Sequence, residues 1–420
     1  MDLSKPHGLK LNQASMIENN ETFTDKGALE MQPANIGNEI KKRREALGIT
    51  TKEFSDALAL GKNGEKLLRD WETGVSIPPE EIYGRIITFA SDRPFYNEST
   101  DGSFTFIDLF AGIGGIRIPF QELGGHCVFS SEWDQFAQKT YKVNFGEEPA
   151  GDITKIESST IPDFDVLLGG FPCQPFSSAG LKKGFADTRG TLFFEIERIL
   201  RDKRPKAFLL ENVKQLQTHD KGRTLKVILS HLDELDYYVK YAILRAGDFG
   251  VPQNRERTYI VGFDKHYYDI ADNFDFLFPV PTYEKTRLGD ILEREVDERY
   301  TLTDAIWEGF KKRKQNNVNR GAGFGYCLFN EESLYVSTLV ARYYKDGQEI
   351  LIDQGPNKNP RKLTPRECAR LQGFPDSFII PVSNTQAYKQ FGNSVAVPVV
   401  RAVAKRIVEE MNTLPKRSER

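Results

Sequence analysis

From residue 104 the chain alternates short apolar segments with helical patterns, and this rhythm constrains the fold more than any other feature. Six segments are typical of strands because they are short and apolar, and they are FTFIDLF, HCVFSSE, DVLLGGF, AFLLEN, YYVKYAILRA and RTYIVGF. Strands that alternate with helices form a mostly parallel sheet covered by helices. We therefore predict an α/β domain over residues 104–265.

The composition is that of a globular protein that stays in solution. The 420 residues are enough for two or three domains, and the chain is 39% hydrophobic and 28% charged. No apolar stretch is long enough to span a bilayer, and the polar segment MDLSKPHGLK lacks a signal-peptide pattern, so we expect a cytoplasmic protein without a membrane partner. The four cysteines lie far apart without a CxxC pair, which argues against a bound metal. The net charge of -3 does not exclude a nucleic-acid partner, because local basic surface matters more than the total.

The rest of the chain divides into segments on each side of the α/β pattern. Residues 1–35 are polar and aperiodic, which predicts a mobile arm, and residues 36–90 have helical periodicity. The composition of residues 91–103 is typical of a linker. Residues 266–362 lose the alternation and are rich in Lys, Arg, Asn, Gly and Tyr, so we predict a second, smaller domain there. Helical pattern returns over residues 363–420, and the smaller domain is therefore expected to be inserted before the last part of the α/β domain.

The amino-terminal helical segment has the pattern of a small DNA-binding unit. It predicts a helix over IGNEIKKRREAL, a short helix capped by Thr50 or Thr51, and a third helix over EKLLRDWE. This arrangement resembles the helix-turn-helix of phage-repressor-like regulators, whose third helix enters the major groove; the candidate contacts are Asn63, Lys66 and Arg69. The alternative is a helical cap that only packs on the main domain. It stays open because acidic residues nearly equal basic ones in this segment.

A glycine-rich turn follows the first predicted strand. In DLFAGIGG, glycines such as Gly112 and Gly114 let the backbone approach a ligand and leave amide groups free at the start of the next helix. Glu132 ends the second predicted strand, where an acid can bind ribose hydroxyls, and Trp133 after it can lie against a purine. Asp152 follows the expected end of a third strand and can accept a hydrogen bond from an adenine amino group. This set favours S-adenosylmethionine over a nicotinamide dinucleotide, although both stay open at this point.

Three further motifs place reactive side chains at the same edge of the predicted sheet. Cys173 lies in GGFPCQPFSSAG, just after a predicted strand, and is either a nucleophile or a small buried hydrophobic residue. Glu211 ends the strand AFLLEN. Arg255 and Arg257 alternate in QNRER, so a strand there would turn both side chains to one face. Each motif alone also has an ordinary explanation, such as a strand-end acid or a basic surface strand.

In this order the motifs resemble those of the cytosine-5 DNA methyltransferases. The match consists of DLFAGIGG, the Glu132-Trp133 pair, GDIT, GFPCQPFS, ENV, QNRER, RKLTPRECARLQGFP and GNSVAVPV. It covers residues 104 to about 265 and 361–410. The resemblance implies a Rossmann-like, S-adenosylmethionine-dependent methyltransferase domain with an inserted target-recognition domain. It also implies a bacterial enzyme of the restriction-modification type that acts as a monomer on double-stranded DNA.

The resemblance implies roles for individual residues. The thiolate of Cys173 would add to carbon 6 of cytosine, Glu211 would bind ring nitrogen 3, Arg257 would hold the cytosine carbonyl, and Arg255 would orient the base and backbone. The cofactor pocket would be lined by Phe110, Glu132, Trp133, Asp152, Pro172 and Asn393. A loop that carries Ser177 and Arg189 would close over the flipped base.

Residues 266–362 correspond in this comparison to the target-recognition region. The KKRK run at residues 311–314 and Arg320 can meet phosphates, or they are a solvated surface. The stretches 321–326 and 337–344, the second with Thr338 and Arg342, look like those of Dcm-type enzymes, which methylate the inner cytosine of CCNGG-class sites. Arg342 can read a guanine through two hydrogen bonds.

Two other functions stay open. One is a transcriptional regulator that binds an operator through the helix-turn-helix and carries an inactive methylase domain. The other is a transfer RNA cytosine-5 methyltransferase, which a full target-recognition insert disfavours. A nicotinamide-dependent dehydrogenase would leave the cysteine loop unexplained.

Overall fold

The structure is a computed structural model that describes residues 33–96, 102–172, 192–321 and 325–418.

The amino-terminal unit is a bundle of short helices. The described residues before 97 form α1 (Pro33–Ala46), α2 (Thr51–Ala57), α3 (Gly64–Glu72) and α4 (Glu80–Thr88). Their buried side chains include Ile40, Phe54, Leu68 and Ile86. The first three helices are the predicted ones, and α1 takes up the last residues of the expected arm. The fourth was not expected, because two prolines precede it and Gly84 interrupts its apolar pattern.

A sheet of six strands forms the centre of the described structure after residue 102. Its strands are β1 (Phe104–Leu109), β2 (Gly125–Ser131), β3 (Val166–Gly170), β4 (Ala207–Val213), β5 (Tyr237–Arg245) and β6 (Glu256–Asp264). They lie in the order β2-β1-β3-β4-β6-β5, and only β6 runs against its two neighbours. The short connection between β5 and β6 has no room for a crossover helix, so these two strands pair antiparallel. The predicted α/β sheet is confirmed.

Helices cover both faces of the sheet. The helices described after residue 102 are α5 (Arg117–Glu122), α6 (Gln135–Phe145), α7 (Leu192–Lys203), α8 (Arg223–Glu234), α9 (Asp304–Asn319), α10 (Pro365–Leu371), α11 (Asn384–Asn393) and α12 (Val397–Thr413), of which α9 belongs to the inserted region and not to the layers on the sheet. Successive residues of a strand face opposite sides, and the buried residues of β1 show this. Phe106 packs with α5 and α12, and Ile107 packs with α7 and α8. None of the helices in the described part of the chain has the length and hydropathy needed to cross a bilayer.

The inserted region is smaller than expected. Tyr268 and Phe276 are buried in the same cluster as β6 and α12, so residues 266–278 extend the core of the α/β domain. The boundary expected at residue 266 is therefore too early. The region beyond them contains α9 and a pair of two-residue strands, β7 (Leu328–Phe329) and β8 (Leu351–Ile352).

The expected linker is partly docked on the α/β domain. The backbone amide of Phe95 donates to the carbonyl of Asn144 at 3.0 Å, and its ring centroid lies 5.5 Å from that of Phe145 on α6. Residues 97–101 lie outside the described residues.

The amino-terminal bundle is attached to the rest of the chain mainly through α2. Asp56 forms an ion pair with Arg299 at 3.2 Å and accepts a hydrogen bond from the amide of Asn384 at 3.3 Å. Glu53, which also completes the cap of α2 at Thr50, lies 3.7 Å from Nζ of Lys139. The bundle therefore packs on the main domain, as one of the two interpretations expected.

A buried polar network lies beneath the end of β1. Asp108 is 1% exposed, and its Oδ2 accepts a hydrogen bond from the hydroxyl of Tyr141 at 3.3 Å. Arg117 donates to that hydroxyl at 3.0 Å and to both oxygens of Glu147 at 2.8 and 2.9 Å. Burial raises the pKa of Asp108 to about 8, because the attraction of Arg117 and the hydrogen bond from Tyr141 offset only part of the desolvation cost. The folded chain therefore binds a proton at Asp108 that the unfolded chain releases near pH 4.

We predict that Asp108→Asn reduces the loss of stability that accompanies a rise in pH. Between the ordinary pKa of 3.8 and the folded value of about 8, only the folded state holds the proton, so Asp108 lowers stability as pH rises. The slope is at most about 1.4 kcal/mol per pH unit. The melting temperature of the variant minus that of the wild type should therefore increase from pH 5 to pH 8 and then stay constant. Asp163→Asn is the control for loss of a carboxylate at the surface, since its side chain is 97% exposed. Parallel curves for Asp108→Asn and the wild type would contradict the prediction.

Candidate active site

The carboxyl ends of β1, β3 and β4 meet at one edge of the sheet, where most predicted site residues lie. In the parallel pairing Leu109 is beside Gly169, and Gly170 is beside Glu211. A Cβ atom at Gly170 would lie 3.7 Å from Oε2 of Glu211. The sheet therefore places this carboxyl group next to the turn that leads to Cys173, as the sequence predicted.

The turn itself is fixed by a residue to which the sequence assigned no role. Asn212 is 1% exposed, and its Nδ2 donates to the carbonyl of Phe171 at 2.9 Å. The sequence feature that could have indicated this role is a polar residue at the end of an apolar strand. Pro172 follows and is exposed. Residues 173–191 lie outside the described residues, and with them three predicted site residues: Cys173, Ser177 and Arg189.

Glu211 is a buried acid with free hydrogen-bonding capacity. It is 8% exposed, and Nε of Arg257 lies 3.1 Å from its Oε1. This contact lacks hydrogen-bond alignment, and Oε1 has no hydrogen-bond partner in the described part of the chain. Burial raises the pKa of Glu211 even though Arg257 and Arg255 lower it. The carboxyl group therefore keeps its proton to a higher pH than an exposed glutamate and can donate it to a base.

The two arginines of QNRER have different environments. Strand β6 begins at Glu256, so Arg255 precedes the strand in which both were expected. Arg255 is 2% exposed, and its guanidinium donates to the carbonyls of Leu339 at 2.9 Å, Gly392 at 3.2 Å and Ser394. Nη1 and Nη2 of Arg255 therefore bind the protein's own backbone, and the predicted help in orienting the base would have to act through these contacts.

The glycine turn after β1 has the close backbone packing expected of a ligand loop. Gly112 and Gly114 have φ values of 56° and 83°, and a Cβ atom at Gly114 would lie 2.2 Å from the ring of Phe145. Phe110 has a φ of 54° and is half-buried. The amide of Gly112 donates to Oε2 of Glu132 at 2.7 Å. The acid predicted from the second strand therefore contacts the glycine turn directly.

Glu132 and Trp133 lie side by side with opposite exposure. Glu132 is 7% exposed, and its second oxygen accepts the amide of Asp134 at 2.8 Å. Burial raises its pKa, although these backbone hydrogen bonds lower it. Trp133 is 78% exposed, so its indole is open to a ligand ring. Asn393, at the end of α11, is also exposed.

Asp152 reaches this edge by a different route from the one predicted. The described residues before it form a loop and not a strand. That loop is tied to the end of β2, because the hydroxyl of Ser131 donates to the carbonyl of Gly151 at 2.7 Å. The carboxylate of Asp152 accepts the amide of Thr154 at 3.1 Å and its hydroxyl at 2.8 Å. Asp152 therefore lies near Glu132, but β2 holds it there.

These residues fit an adenosine cofactor that carries no pyrophosphate. The glycine turn gives a ligand access to the backbone, the Glu132 carboxylate has further acceptor capacity, and Trp133 offers a flat apolar surface.

The predicted recognition residues lie on the inserted region. The hydroxyl of Thr338 donates to the carbonyl of Asn254 at 2.6 Å. The side chain of Arg342 is 71% exposed, and its ion pair within the described residues is with Glu349 at 3.6 Å. The KKRK run lies on α9, where Lys314 lies over the ring of Tyr326. Residues 322–324 of the other predicted stretch lie outside the described residues.

The predicted recognition helix α3 is exposed on one side. Asn63 and Lys66 are exposed, whereas Arg69 is exposed but paired with Glu65. Within the described residues, docking through α2 therefore leaves this side of α3 exposed.

Comparison with known proteins agrees with this geometry. A family model described as C-5 cytosine-specific DNA methylase matches residues 104–409. The Type II methyltransferase M1.ScrFI of Lactococcus lactis subsp. cremoris is 59% identical over 371 residues, which are 88% of this chain and 94% of the relative. The Type II methyltransferase M.SsoII of Shigella sonnei is 57% identical over 380 residues, which are 90% of this chain and 99% of the relative.

The solved structures support the same fold. A crystal structure of a Spodoptera frugiperda DNMT2 mutant superposes with a TM-score of 0.61 at 22% identity and covers 73% of this chain and 100% of that one. The chain therefore belongs to the C-5 cytosine-specific DNA methylase family, and it is a DNA (cytosine-5)-methyltransferase that uses S-adenosylmethionine.

Proposed function

We propose that this chain methylates carbon 5 of a cytosine that has been flipped out of duplex DNA, through a transient covalent bond to Cys173. The observation that carries the proposal is Glu211, a buried acid on the strand next to the Cys173 turn, whose Oε1 has no hydrogen-bond partner among the described residues. A buried carboxyl group in this state is suited to a ligand that brings a ring nitrogen to it.

Covalent addition makes carbon 5 reactive. Carbon 5 of cytosine is a poor nucleophile, and addition of the Cys173 thiolate to carbon 6 converts the ring to an enamine. Negative charge then develops at ring nitrogen 3, where the proton-bearing carboxyl group of Glu211 binds it. S-adenosylmethionine, when bound, supplies an electrophilic methyl group on a positively charged sulfur. After carbon 5 has been methylated, water removes its proton and Cys173 leaves as the thiolate.

The other residues of the edge bind and orient the two substrates. Arg257, in contact with Glu211, is placed to hold the cytosine carbonyl. Glu132 and Trp133 would hold the ribose and the adenine of the cofactor, and Asp152 the adenine amino group. Unstacking the base costs about a few kcal/mol, which contacts from the loop with Ser177 and Arg189 would offset.

We propose a CCNGG-class site as the target, with methylation of the inner cytosine, as part of a restriction-modification system. Arg342 supports this proposal because its guanidinium is exposed and weakly paired, as two hydrogen bonds to a guanine require. Four residues before Arg342, the hydroxyl of Thr338 donates to the carbonyl of Asn254 in the QNRER segment.

We predict that DNA from cells that express the wild-type chain carries 5-methylcytosine at these sites. Cys173→Ser should abolish methylation, and Glu211→Gln should lower kcat by at least about 100-fold, the usual contribution of a general acid. Bisulfite sequencing and transfer of radiolabelled methyl groups to duplex DNA measure both effects. Glu256→Gln is the control, since Glu256 follows Arg255 in the chain but its side chain forms an ion pair with Lys214 at the surface. Turnover by Cys173→Ser would disprove the mechanism, and 5-methylcytosine only at unrelated sequences would disprove the target.

We also propose that the amino-terminal bundle binds an operator through α3 and represses transcription. Two observations support it. The exposed side of α3 carries Asn63 and Lys66. In addition, the similarity to M.SsoII covers 90% of the chain, more than residues 104–420 can contain, so it extends into the bundle.

We predict that the full-length chain protects an operator near its own gene in a footprint assay. Lys66→Ala should weaken this binding and make the logarithmic salt dependence shallower by about one, since one phosphate contact is lost. Methylation of target sites should not change. Lys405→Ala, an exposed lysine of α12, serves as the control and should bind like the wild type. The absence of a protected operator, or identical footprints for both variants, would count against the proposal.

A further inference from the structure

Both backbone polar groups of one residue in the inserted region, Leu339, are held by buried side chains. The amide of Leu339 donates to Oε1 of Gln253 at 3.0 Å, and the carbonyl of Leu339 accepts Nη1 of Arg255 at 2.9 Å. Gln253 is 0% exposed and Arg255 is 2% exposed. Leu339 lies in the stretch 337–344, hereafter the recognition segment, between Thr338 and Arg342.

The other ends of these side chains are fixed to the carboxyl-terminal part of the catalytic domain. Nε2 of Gln253 donates to the carbonyl of Leu371 and to Oε1 of Gln372, both at 3.1 Å. Gln372 in turn donates to the carbonyl of Phe391 at 2.6 Å. Every polar atom of the Gln253 side chain is therefore committed within the described structure, and a change there must move the recognition segment or leave buried groups unpaired.

The packing leaves little freedom for the recognition segment to adapt. A Cβ atom at Gly392 would lie 2.4 Å from the amide nitrogen of Ala341. On the other side, the amide of Val336 donates to the carbonyl of Pro252 at 2.8 Å, and the amide of Asn254 donates to the carbonyl of Val336 at 2.8 Å. The segment is held between the residues before β6 and the end of α11.

The same short stretch of chain reaches the catalytic acid. Arg257, two residues after Arg255, lies 3.1 Å from Glu211. Residues 253–257 therefore connect the groups proposed to read the DNA with the group proposed to act on the flipped base. A displacement of about 1 Å is enough to spoil hydrogen bonds that tell one base from another.

We propose that Gln253 is a positioning residue for target discrimination, which fixes the recognition segment in register with Glu211. This rests on the proposed function, because it assumes that Thr338 and Arg342 contact bases. In this proposal Gln253 contacts neither substrate, and it acts by fixing the backbone of Leu339.

The matched control is Asn144, whose buried side chain forms hydrogen bonds with the backbone of a different residue. Asn144 is 0% exposed, its Nδ2 donates to the carbonyl of Ile379 at 2.8 Å, and its Oδ1 accepts the amide of Ile379 at 2.8 Å. Ile379 lies outside the recognition segment. Loss of either buried amide should lower the melting temperature, and only loss of the Gln253 amide should change the choice of DNA.

The experiment compares Gln253→Met and Asn144→Leu in the full-length enzyme. The target mapped for the wild type and duplexes with one substituted base pair are the substrates, and kcat and KM are measured for each. Gln253→Met should lower the ratio of kcat/KM between target and substituted duplexes by about tenfold, with the KM for S-adenosylmethionine unchanged. Asn144→Leu should keep the wild-type ratio. Gln253→Glu should keep most of the discrimination, since a buried, protonated carboxyl group can accept the Leu339 amide and donate to Gln372.

Three outcomes would overturn the role of Gln253, and a fourth would disprove the proposed function instead. A wild-type ratio in Gln253→Met, or an equal fall in Asn144→Leu, would overturn the role of Gln253. An equal fall in Gln253→Glu and Gln253→Met would also overturn it, because packing alone would then explain the effect. If Gln253→Met does not fold, Gln253→Asn replaces it, since its shorter side chain cannot reach both Leu339 and Gln372. Failure of the wild type to methylate any duplex would instead disprove the proposed function.

Discussion

The burial of one carboxyl group is the constraint on which the active site depends. In water the side chain of Glu211 would be ionised at neutral pH and could only accept hydrogen bonds. At the end of β4 it is 8% exposed, desolvation raises its pKa, and the ion-pair contact with Arg257 offsets only part of that effect. The parallel pairing of β3 with β4 then puts it beside the Cys173 turn. The sheet thus supplies both the raised pKa and the position of the group.

The sequence predicted what local chemistry determines. Strands, the Thr50 cap, the glycine turn and the strand-end acids Glu132 and Glu211 depend on short segments, and the structure has them in place. The sequence did not predict positions that are determined by residues far away in the chain. Asp152 owes its position to β2 through Ser131, and residues 266–278 join the core because α12 covers them. Neither contact leaves a pattern in the neighbouring sequence.

The QNRER segment shows the same limit for polar residues. Arginine and glutamine in the sequence of a DNA-binding protein are readily assigned to phosphates and bases. A buried backbone carbonyl needs a donor just as strongly, and Arg255 supplies one to three carbonyls at once. Only burial separates the two uses: Arg255 is enclosed by protein, whereas the side chain of Arg342 is 71% exposed. The sequence identifies the segment, but it does not show which of its side chains bind the protein's own backbone and which are available to a ligand.

The nearly equal numbers of acidic and basic residues in the amino-terminal bundle are explained in part by its contacts with the main domain. Its acidic residues nearly equal its basic ones, which by itself argues against DNA binding. Two of those acids, Glu53 and Asp56, face Lys139 and Arg299 of the main domain and so fix the bundle in place. Acids that are neutralised in an internal interface add little to the field around an exposed residue such as Lys66. The near-zero balance is therefore compatible with a basic DNA-facing surface, because part of the negative charge serves docking.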